Sequence, residues 1–332
     1  MVGPPRAVAV VRVAVRRWLA ATRDDAGHPL QDSLCVAVSG GADSVALLAA
    51  TAFETRRLGV ALDAISVDHQ LQSGSGARAD EVVALALRLG CRAATVQKVR
   101  VAGTSNIEAQ ARVARYAALS EAAAERWILL GHTLDDQAES MLLGLGRGSG
   151  PRAIAGMAAH NFPYGRPLLT VRRADTRAAC NAEGLPVWDD PHNDDPRFTR
   201  VRIRHEALPL LEEILGGGVA EALAKTADLI QHDERSAREL AQQALVVLRV
   251  DPYPDLDGVR RLDARALGGY PGGLRRRIIK LWLEDDGAFA ALTGAHVAAI
   301  DALVDTYHGQ GPAYLPGGRC VNRTRETINL MR

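Results

Sequence analysis

Val36-Ala37-Val38-Ser39-Gly40-Gly41-Ala42-Asp43-Ser44 is the stretch that decides the fold. The apolar run from Leu34 to Val38 reads as a buried strand, it breaks at Ser-Gly-Gly, and an apolar helical pattern begins at Val45. A glycine-rich turn between strand and helix lets backbone N–H groups approach an anion, and the helix N-terminus adds positive potential. The loop lacks the Gly-Lys-Ser/Thr ending of the common mononucleotide loop and the third glycine of the dinucleotide fingerprint. Asp43 argues against a plain phosphate cup, because a carboxylate beside phosphates needs a cation. Mg²⁺ bridging Asp43 and the phosphates would remove that repulsion.

Outward from this loop, strand and helix signals alternate. Residues 6–22 read as an amphipathic helix. Strand-like runs at 34–38, 61–67, 93–99 and 127–130 are each followed by a helical pattern, at 43–57, 77–89, 107–126 and 134–145. Such alternation predicts an α/β fold, a parallel sheet with helices on both faces, and ligands bind such sheets beyond the carboxyl ends of the strands. Ser39–Ser44 follows the first strand, Asp68 and His69 the second, and Gly131 and His132 the fourth, so polar residues gather at those ends. Residues 146–170 read as loops and 186–197 as a polar segment of little helix potential. Helical patterns return at 199–214 and 219–248, and Asp251-Pro252-Tyr253-Pro254 reads as a linker. A small α+β domain is expected beyond it, with helices near 272–285 and 293–306 and strands near 313–315 and 319–322. The predicted organisation is a nucleotide-binding catalytic domain over 1–216, a helical connector over 217–250 and a small C-terminal domain over 251–332.

Composition narrows the partners. Net charge is +1, and the 40 basic residues are almost all arginine, lysine occurring only at positions 98, 225 and 280. Arginine suits bidentate phosphate contact, whereas an aromatic content of 4% argues against recognition through many stacked bases. Cys35, Cys91, Cys180 and Cys320 are isolated, as expected of free thiols in a reducing cytoplasm. Arg6, Arg12, Arg16 and Arg17 interrupt the N-terminal apolar stretch, so neither a signal peptide nor a membrane span is expected.

Two further stretches carry chemistry. In Gly131-His132-Thr133-Leu134-Asp135-Asp136-Gln137-Ala138-Glu139-Ser140, a helix starting near Leu134 puts His132 at its mouth. Asp135, Asp136 and Glu139 then fall close to one face. Acids in a first turn also suit the helix dipole, so two readings stand: capping and a solvated face, or a site that holds Mg²⁺, an amine or both. In Asn106-Ile107-Glu108-Ala109-Gln110-Ala111-Arg112-Val113-Ala114-Arg115-Tyr116, Glu108 and Arg112 are an i, i+4 pair, as are Arg112 and Tyr116; a plain surface helix shows the same spacing.

Ser39 to Ser44 resembles the pyrophosphate loop of the ATP-pyrophosphatase superfamily. With Val67-Asp68-His69, the Ala-Arg-x-x-Arg-Tyr helix at Ala111–Tyr116, Gly131–Ser140 and Arg166-Pro167-Leu168-Leu169, it resembles one family, the tRNA(Ile)-lysidine synthetases. Asp190-Pro191-His192-Asn193, Arg200-Val201-Arg202-Ile203-Arg204, Leu208-Pro209 and Leu315-Pro316-Gly317-Gly318 extend the likeness over nearly the whole chain. Three positions depart from the pattern: Ser140 stands for Thr, His192 for Ser and Val201 for Asn.

The resemblance implies ligation of free L-lysine to C2 of the wobble cytidine of a CAU-anticodon isoleucine tRNA, through an adenylated cytidine, with ATP and Mg²⁺. It implies ATP contacts from Ser39, Gly40, Gly41, Ala42, Asp43, Ser44, Asp68 and His69, and Mg²⁺ on Asp43. Arg112 and His132 would stabilise charge near the α-phosphate or the activated base, Asp136 and Glu139 would orient lysine, and Arg200, Arg202 and Arg204 would contact tRNA or nucleotide. A tRNA-recognition role for the C-terminal domain, a cytoplasmic location and a homodimer, a form the family often takes, also follow from it. The target base must leave its stack, which an anticodon loop permits, and binding should weaken as salt rises. The alternatives are another ATP-pyrophosphatase with a different acceptor, and a non-catalytic RNA-binding relative. A thiolase would want paired cysteines, and an amidating enzyme an ammonia source; neither is evident here.

Overall fold

The computed structural model describes residues 3–24, 27–68, 70, 74–99, 107–148, 150–190, 194–250, 259–284 and 292–331. The chain forms two compact units, 1–231 and 232–332. The division falls inside the stretch read as a helical connector, since Val219–Leu248 is one continuous helix (α10).

The first unit is built on a six-stranded sheet. Its strands are β1 (Ser33–Ala37), β2 (Ala61–Asp68), β3 (Ala93–Lys98), β4 (Ile128–Leu129), β5 (His160–Asn161) and β6 (Tyr164–Gly165), in the spatial order β3-β2-β1-β4-β6-β5. All pairings are parallel except that of β5 with β6. The α/β class and four strand–helix units expected from the sequence are present, with α2 (Ala42–Leu58), α3 (Ser75–Arg88), α4 (Ile107–Ala123) and α5 (Leu134–Arg147) following β1 to β4 and a short α6 (Pro151–Ile154) leading to β5. The short β5–β6 hairpin inside 146–170 was expected as loop, because two-residue strands carry no periodicity to read.

The strand order reverses between β2 and β4 on the two sides of β1, which is where parallel sheets open a crevice for ligands. Register pairs Cys35 with Ile128 and Val36 with Leu129, so the ends of β1 and β4 lie side by side. Helix α1 (Arg6–Arg23) covers one face by burying Val8, Val11, Val15, Trp18 and Leu19, an i, i+3/i+4 stripe. It lies against α2 (Ala42–Leu58) and α7 (Arg173–Ala182), the latter a helix that the sequence reading did not single out. On the other face Cys35, Ile65, Leu119, Ala123 and Ile128 form a smaller core beneath α4 (Ile107–Ala123). β1 and β2 contribute buried side chains to both cores, Leu34, Val36, Leu62 and Ala64 to one and Cys35 and Ile65 to the other, which explains their near-continuous apolar reading.

The second unit joins the C-terminal part of α10 to an antiparallel sheet β7 (Arg260–Asp263), β10 (Thr327–Met331), β9 (Arg319–Arg323) and β8 (Ala313–Leu315), in that order. Helices Gly272–Glu284 and Gly294–Asp305 fill its core with Ile278, Ile279, Trp282, Ile300 and Leu303. The two predicted helices and two predicted strands are present, and β7 and β10 add the strands that complete the sheet. Among the described residues, no helix is long and apolar enough to cross a membrane.

Candidate active site

The loop after β1 turns sharply at Gly40, whose φ of +89° lies in the left-handed region. A Cβ at Gly40 would also sit 3.2 Å from Val82 Cγ2, a tight contact that adds to the backbone strain of any other residue there. Ser44 closes the turn from inside: its hydroxyl donates to the Gly41 carbonyl (2.9 Å) and accepts from the Ser39 N–H (3.1 Å). Ser39 Oγ lies 3.2 Å from Ser44 Oγ. Gly41 is the N-cap of α2 and brings no side-chain cap, which leaves the first-turn N–H groups available to an anion. A strap from Pro186 to Asp189 braces the loop from outside: Trp188 N–H donates to the Gly40 carbonyl (2.9 Å), and the Arg78 guanidinium lies 4.2 Å over the Trp188 ring.

Helix α5 (Leu134–Arg147) begins beside this loop, because β4 ends next to β1. Thr133 caps it in a reciprocal box: Asp136 N–H donates to Thr133 Oγ1 (3.4 Å), and Asp136 Oδ2 accepts from Thr133 N–H and Oγ1 (both 2.8 Å). Gly131 sits at the junction. A Cβ there would lie 3.0 Å from both Asp43 C and Ser44 N, so strand end and loop touch through bare backbone.

The acids of the two motifs converge on one side chain, Arg173, in the first turn of α7. Its Nε lies 3.2 Å from Asp43 Oδ2, its Nη2 2.8 Å from Asp136 Oδ1 and its Nη1 3.3 Å from Glu139 Oε1. Its backbone N–H donates to Asp135 Oδ2 (2.7 Å). Thr176, one turn on, donates its hydroxyl to Asp43 Oδ1. Glu139 is fully buried and held by two more arginines, Arg204 through Nε (2.7 Å) and Nη2 (3.2 Å) and Arg200 through Nε (3.1 Å). Arg200 also donates to Ser140 Oγ (2.6 Å). The stretch read as one helix over 199–214 is α8 (Thr199–Arg202), a π turn (Ile203–Ala207) and α9 (Leu208–Leu215). Arg204 lies on that π turn, a feature frequent at functional sites.

Charge and burial set the protonation states. Burial pushes the Asp43 carboxyl above the usual range, Asp136 adds to this, and Arg173 and Thr176 oppose it. Burial would raise Asp136 too, but Arg173 and the hydrogen bonds from Thr133 outweigh it and hold that carboxyl below the usual range. His132 is pushed down to about 3, first by burial and then by Arg166, Arg115 and Arg200, against Asp136. It is a neutral imidazole at pH 7, and its Nδ1 is buried without a hydrogen-bond partner among the described residues. Burial also lowers Arg115, helped by Arg112 and Arg200.

The structure therefore brings Ser39, Gly40, Gly41, Ala42, Asp43, Ser44, His132, Asp136, Glu139, Arg200 and Arg204 together. Arg112 is exposed on α4, its guanidinium 5.2 Å from the Tyr116 ring. Arg202 points elsewhere, to Glu206 at 2.8 Å. Asp68 is buried at the end of β2 and accepts from the Gln70 N–H (2.9 Å). His69 and residues 191–193 lie outside the described residues. Sequence reasoning missed Arg173, Thr176, Arg115, Arg166 and the Trp188 strap. Arg115 and Arg166 lie within the Ala111–Tyr116 and Arg166–Leu169 motifs, and Arg173 follows Leu169 by a few residues in a polar helix too short to signal itself.

The PP-loop domain model matches residues 14–211, and the TilS substrate binding domain model matches 262–328. The first match spans the loop, the α5 mouth and the arginines around Glu139. The chain is 50% identical over 312 residues to a tRNA(Ile)-lysidine synthase of Rhodococcus erythropolis, covering 94% of this chain and 90% of that protein. The chain belongs to the tRNA(Ile)-lysidine synthase family. Other members are the synthase of Nocardia farcinica, 50% identical over 309 residues (93% and 92% covered), and that of Streptomyces coelicolor, 45% identical over 342 (95% of each). Among solved structures, a U34-tRNA thiolase from Methanococcus maripaludis superposes with a TM-score of 0.51 at 16% identity, covering 68% of this chain and 81% of that one; this is a likeness of fold. Membership in the lysidine synthase family disfavours both alternatives drawn from the sequence.

Proposed function

We propose that this chain catalyses ATP-dependent lysidine formation on tRNA(Ile), with free L-lysine as amine donor and the wobble cytidine of a CAU anticodon as acceptor. Family membership supports the reaction. The observation that carries the site assignment is the span of Arg173, which bridges the acid of the phosphate loop, Asp43, to the acids of the α5 mouth, Asp136 and Glu139.

Nucleotide phosphates would lie on the loop and the α2 N-terminus, where Ser39 and Ser44 hydroxyls and uncapped N–H groups favour an anion. Cytidine O2 attacks the α-phosphate, pyrophosphate leaves, and the adenylated ring becomes electrophilic at C2. The ε-amine of lysine then attacks C2, loses a proton, and AMP departs. Neutral His132, with Nδ1 unpartnered and the charges of Arg166, Arg115 and Arg200 acting on it, suits hydrogen bonding to the activated base or its phosphate without adding charge. Arg115 and Arg166, with Arg112 nearby on α4, would supply positive potential for charge developing at the α-phosphate. Asp136, held ionised, is the residue we assign to the incoming ammonium and its proton. Glu139 anchors Arg200 and Arg204, which would then face nucleotide or tRNA phosphate; this narrows its expected part in orienting lysine.

Among the described residues, no group of three His, Cys, Asp or Glu is spaced to hold a metal on its own. Mg²⁺ commonly uses one or two carboxylates and takes its other ligands from water and substrate phosphates, and half-buried Asp43, at the end of the loop, fits that pattern. Bound there, Mg²⁺ would neutralise charge on the phosphates. The C-terminal unit is assigned to tRNA recognition. Homodimerisation and a cytoplasmic location belong to the same proposal. The test is transfer of radiolabelled lysine to an isoleucine tRNA transcript with a CAU anticodon, with a methionine tRNA transcript as control. Label on the isoleucine tRNA alone is expected; pyrophosphate release that depends on a different acceptor would overturn the substrate assignment.

A further inference from the structure

Arg173 is not accounted for by any step above. It is three-quarters buried, and its fork reaches Asp43, Asp136 and Glu139 while its own N–H ties α7 to Asp135. Glu139 has Arg200 and Arg204 in addition. Asp43 has Thr176, and Asp136 has Thr133, but the nearest positive charge to both is Arg173 itself. A structural ion pair needs one carboxylate. A guanidinium shared among acids from two motifs occupies the position any incoming cation would seek.

We infer that Arg173 is a built-in competitor cation: it neutralises the acids of the metal side and the amine side together, and Mg²⁺ or lysine gains them by exchange with its guanidinium. The inference rests on the reaction proposed above and adds an order to it. Metal alone binds weakly because it must displace Arg173 from Asp43 with no phosphates to help. Metal carried on a nucleotide brings its own ligands and releases the guanidinium toward Asp136 and Glu139. Arg173 is thus a positioning residue that couples the two half-sites.

The test is binding of Mn²⁺ alone to the full chain, followed by electron paramagnetic resonance, in wild type and Arg173→Met. An opposite charge at this range is worth a factor of about ten or more in a neighbouring equilibrium. Mn²⁺ should therefore bind R173M at least about tenfold more tightly than wild type, while lysine transfer falls with a higher KM for lysine. A purely structural role would lower stability and activity but would not tighten metal binding. Equal or weaker Mn²⁺ binding by folded R173M overturns the inference. Should R173M fail to fold, Arg173→Lys decides: an ammonium reaches fewer of the three carboxylates than the fork does, so Mn²⁺ must bind it more tightly than wild type, and equal affinity is the overturning result. Lysine transfer by the wild-type chain separately tests the reaction, and its failure leaves the Mn²⁺ comparison readable.

Discussion

Glu139→Gln removes one charge and almost no volume, and the cost can be worked from the contacts. The carboxylate is fully buried, with arginine nitrogens at 2.7 Å (Arg204), 3.1 Å (Arg200) and 3.3 Å (Arg173). Breaking a buried ion pair by removing one partner costs about 3–5 kcal/mol, because the other charge is left uncompensated. Here each arginine keeps a second acceptor: Arg173 has Asp136 and Asp43, Arg204 has Asp136 at 3.8 Å, and Arg200 has Ser140. The three are also about a quarter exposed, so water screens part of the loss. The lower end of the range applies, about 3 kcal/mol, or on the order of a hundredfold in the folding equilibrium. Urea unfolding in a Trp282→Phe background would report it, since Trp18, Trp127 and Trp188 all lie in the first unit. A double-mutant cycle with Arg204→Met should give a coupling of about 1–3 kcal/mol, the double variant losing less than the sum. A loss below about 1 kcal/mol for E139Q with no coupling would refute the description of Glu139 as the compensated anchor of three arginines.

Asp43→Ala should abolish tRNA-dependent pyrophosphate release while tRNA binding in a filter assay is retained; near-normal turnover would remove Asp43 from metal binding. Gly131→Ala places a methyl 3.0 Å from backbone atoms of Asp43 and Ser44, so overpacking of about 1–3 kcal/mol and a weakened ATP affinity by nucleotide titration are expected. His132 is neutral when folded and binds its proton near pH 6.5 when unfolded. The unfolded chain thus holds more protons between about pH 6.5 and 3, and the stability of wild type falls as pH drops through that window. His132→Ala should flatten this part of the curve of urea midpoint against pH, and an unchanged slope would contradict a suppressed imidazole.

The central sheet was legible because β1 and β2 are buried on both faces and read as apolar runs. The second unit was half legible: its helices carry apolar stripes, whereas β7 begins Arg260-Arg261 and conceals its strand character. In the site, the loop and the α5 mouth stood out as motifs contiguous in sequence. Arg173 did not, because its meaning lies in three partners 34 to 130 residues away, and a composition with 40 basic residues gives no single arginine prominence. Arg202, by contrast, was separable in the sequence: on a helix Arg200 and Arg204 share a face at i, i+4 while Arg202, two residues from each, faces away, and the structure turns it to Glu206 and the other two to Glu139.

The contact of Gly131 with the Asp43–Ser44 backbone has a mechanical consequence. With no side chain between them there is nothing compliant at the joint, and proteins of this density transmit displacement rather than absorb it. Five residues after Gly131, Asp136 is locked to Thr133 by the capping box. The Ser39–Ser44 loop and Asp136 are in effect cut from one block. With the roles proposed for the loop and for Asp136, that block is a fixture: the atom activated in the first step and the nucleophile delivered in the second would be located from the same datum. Their alignment is machined during folding and does not have to be found again in each turnover.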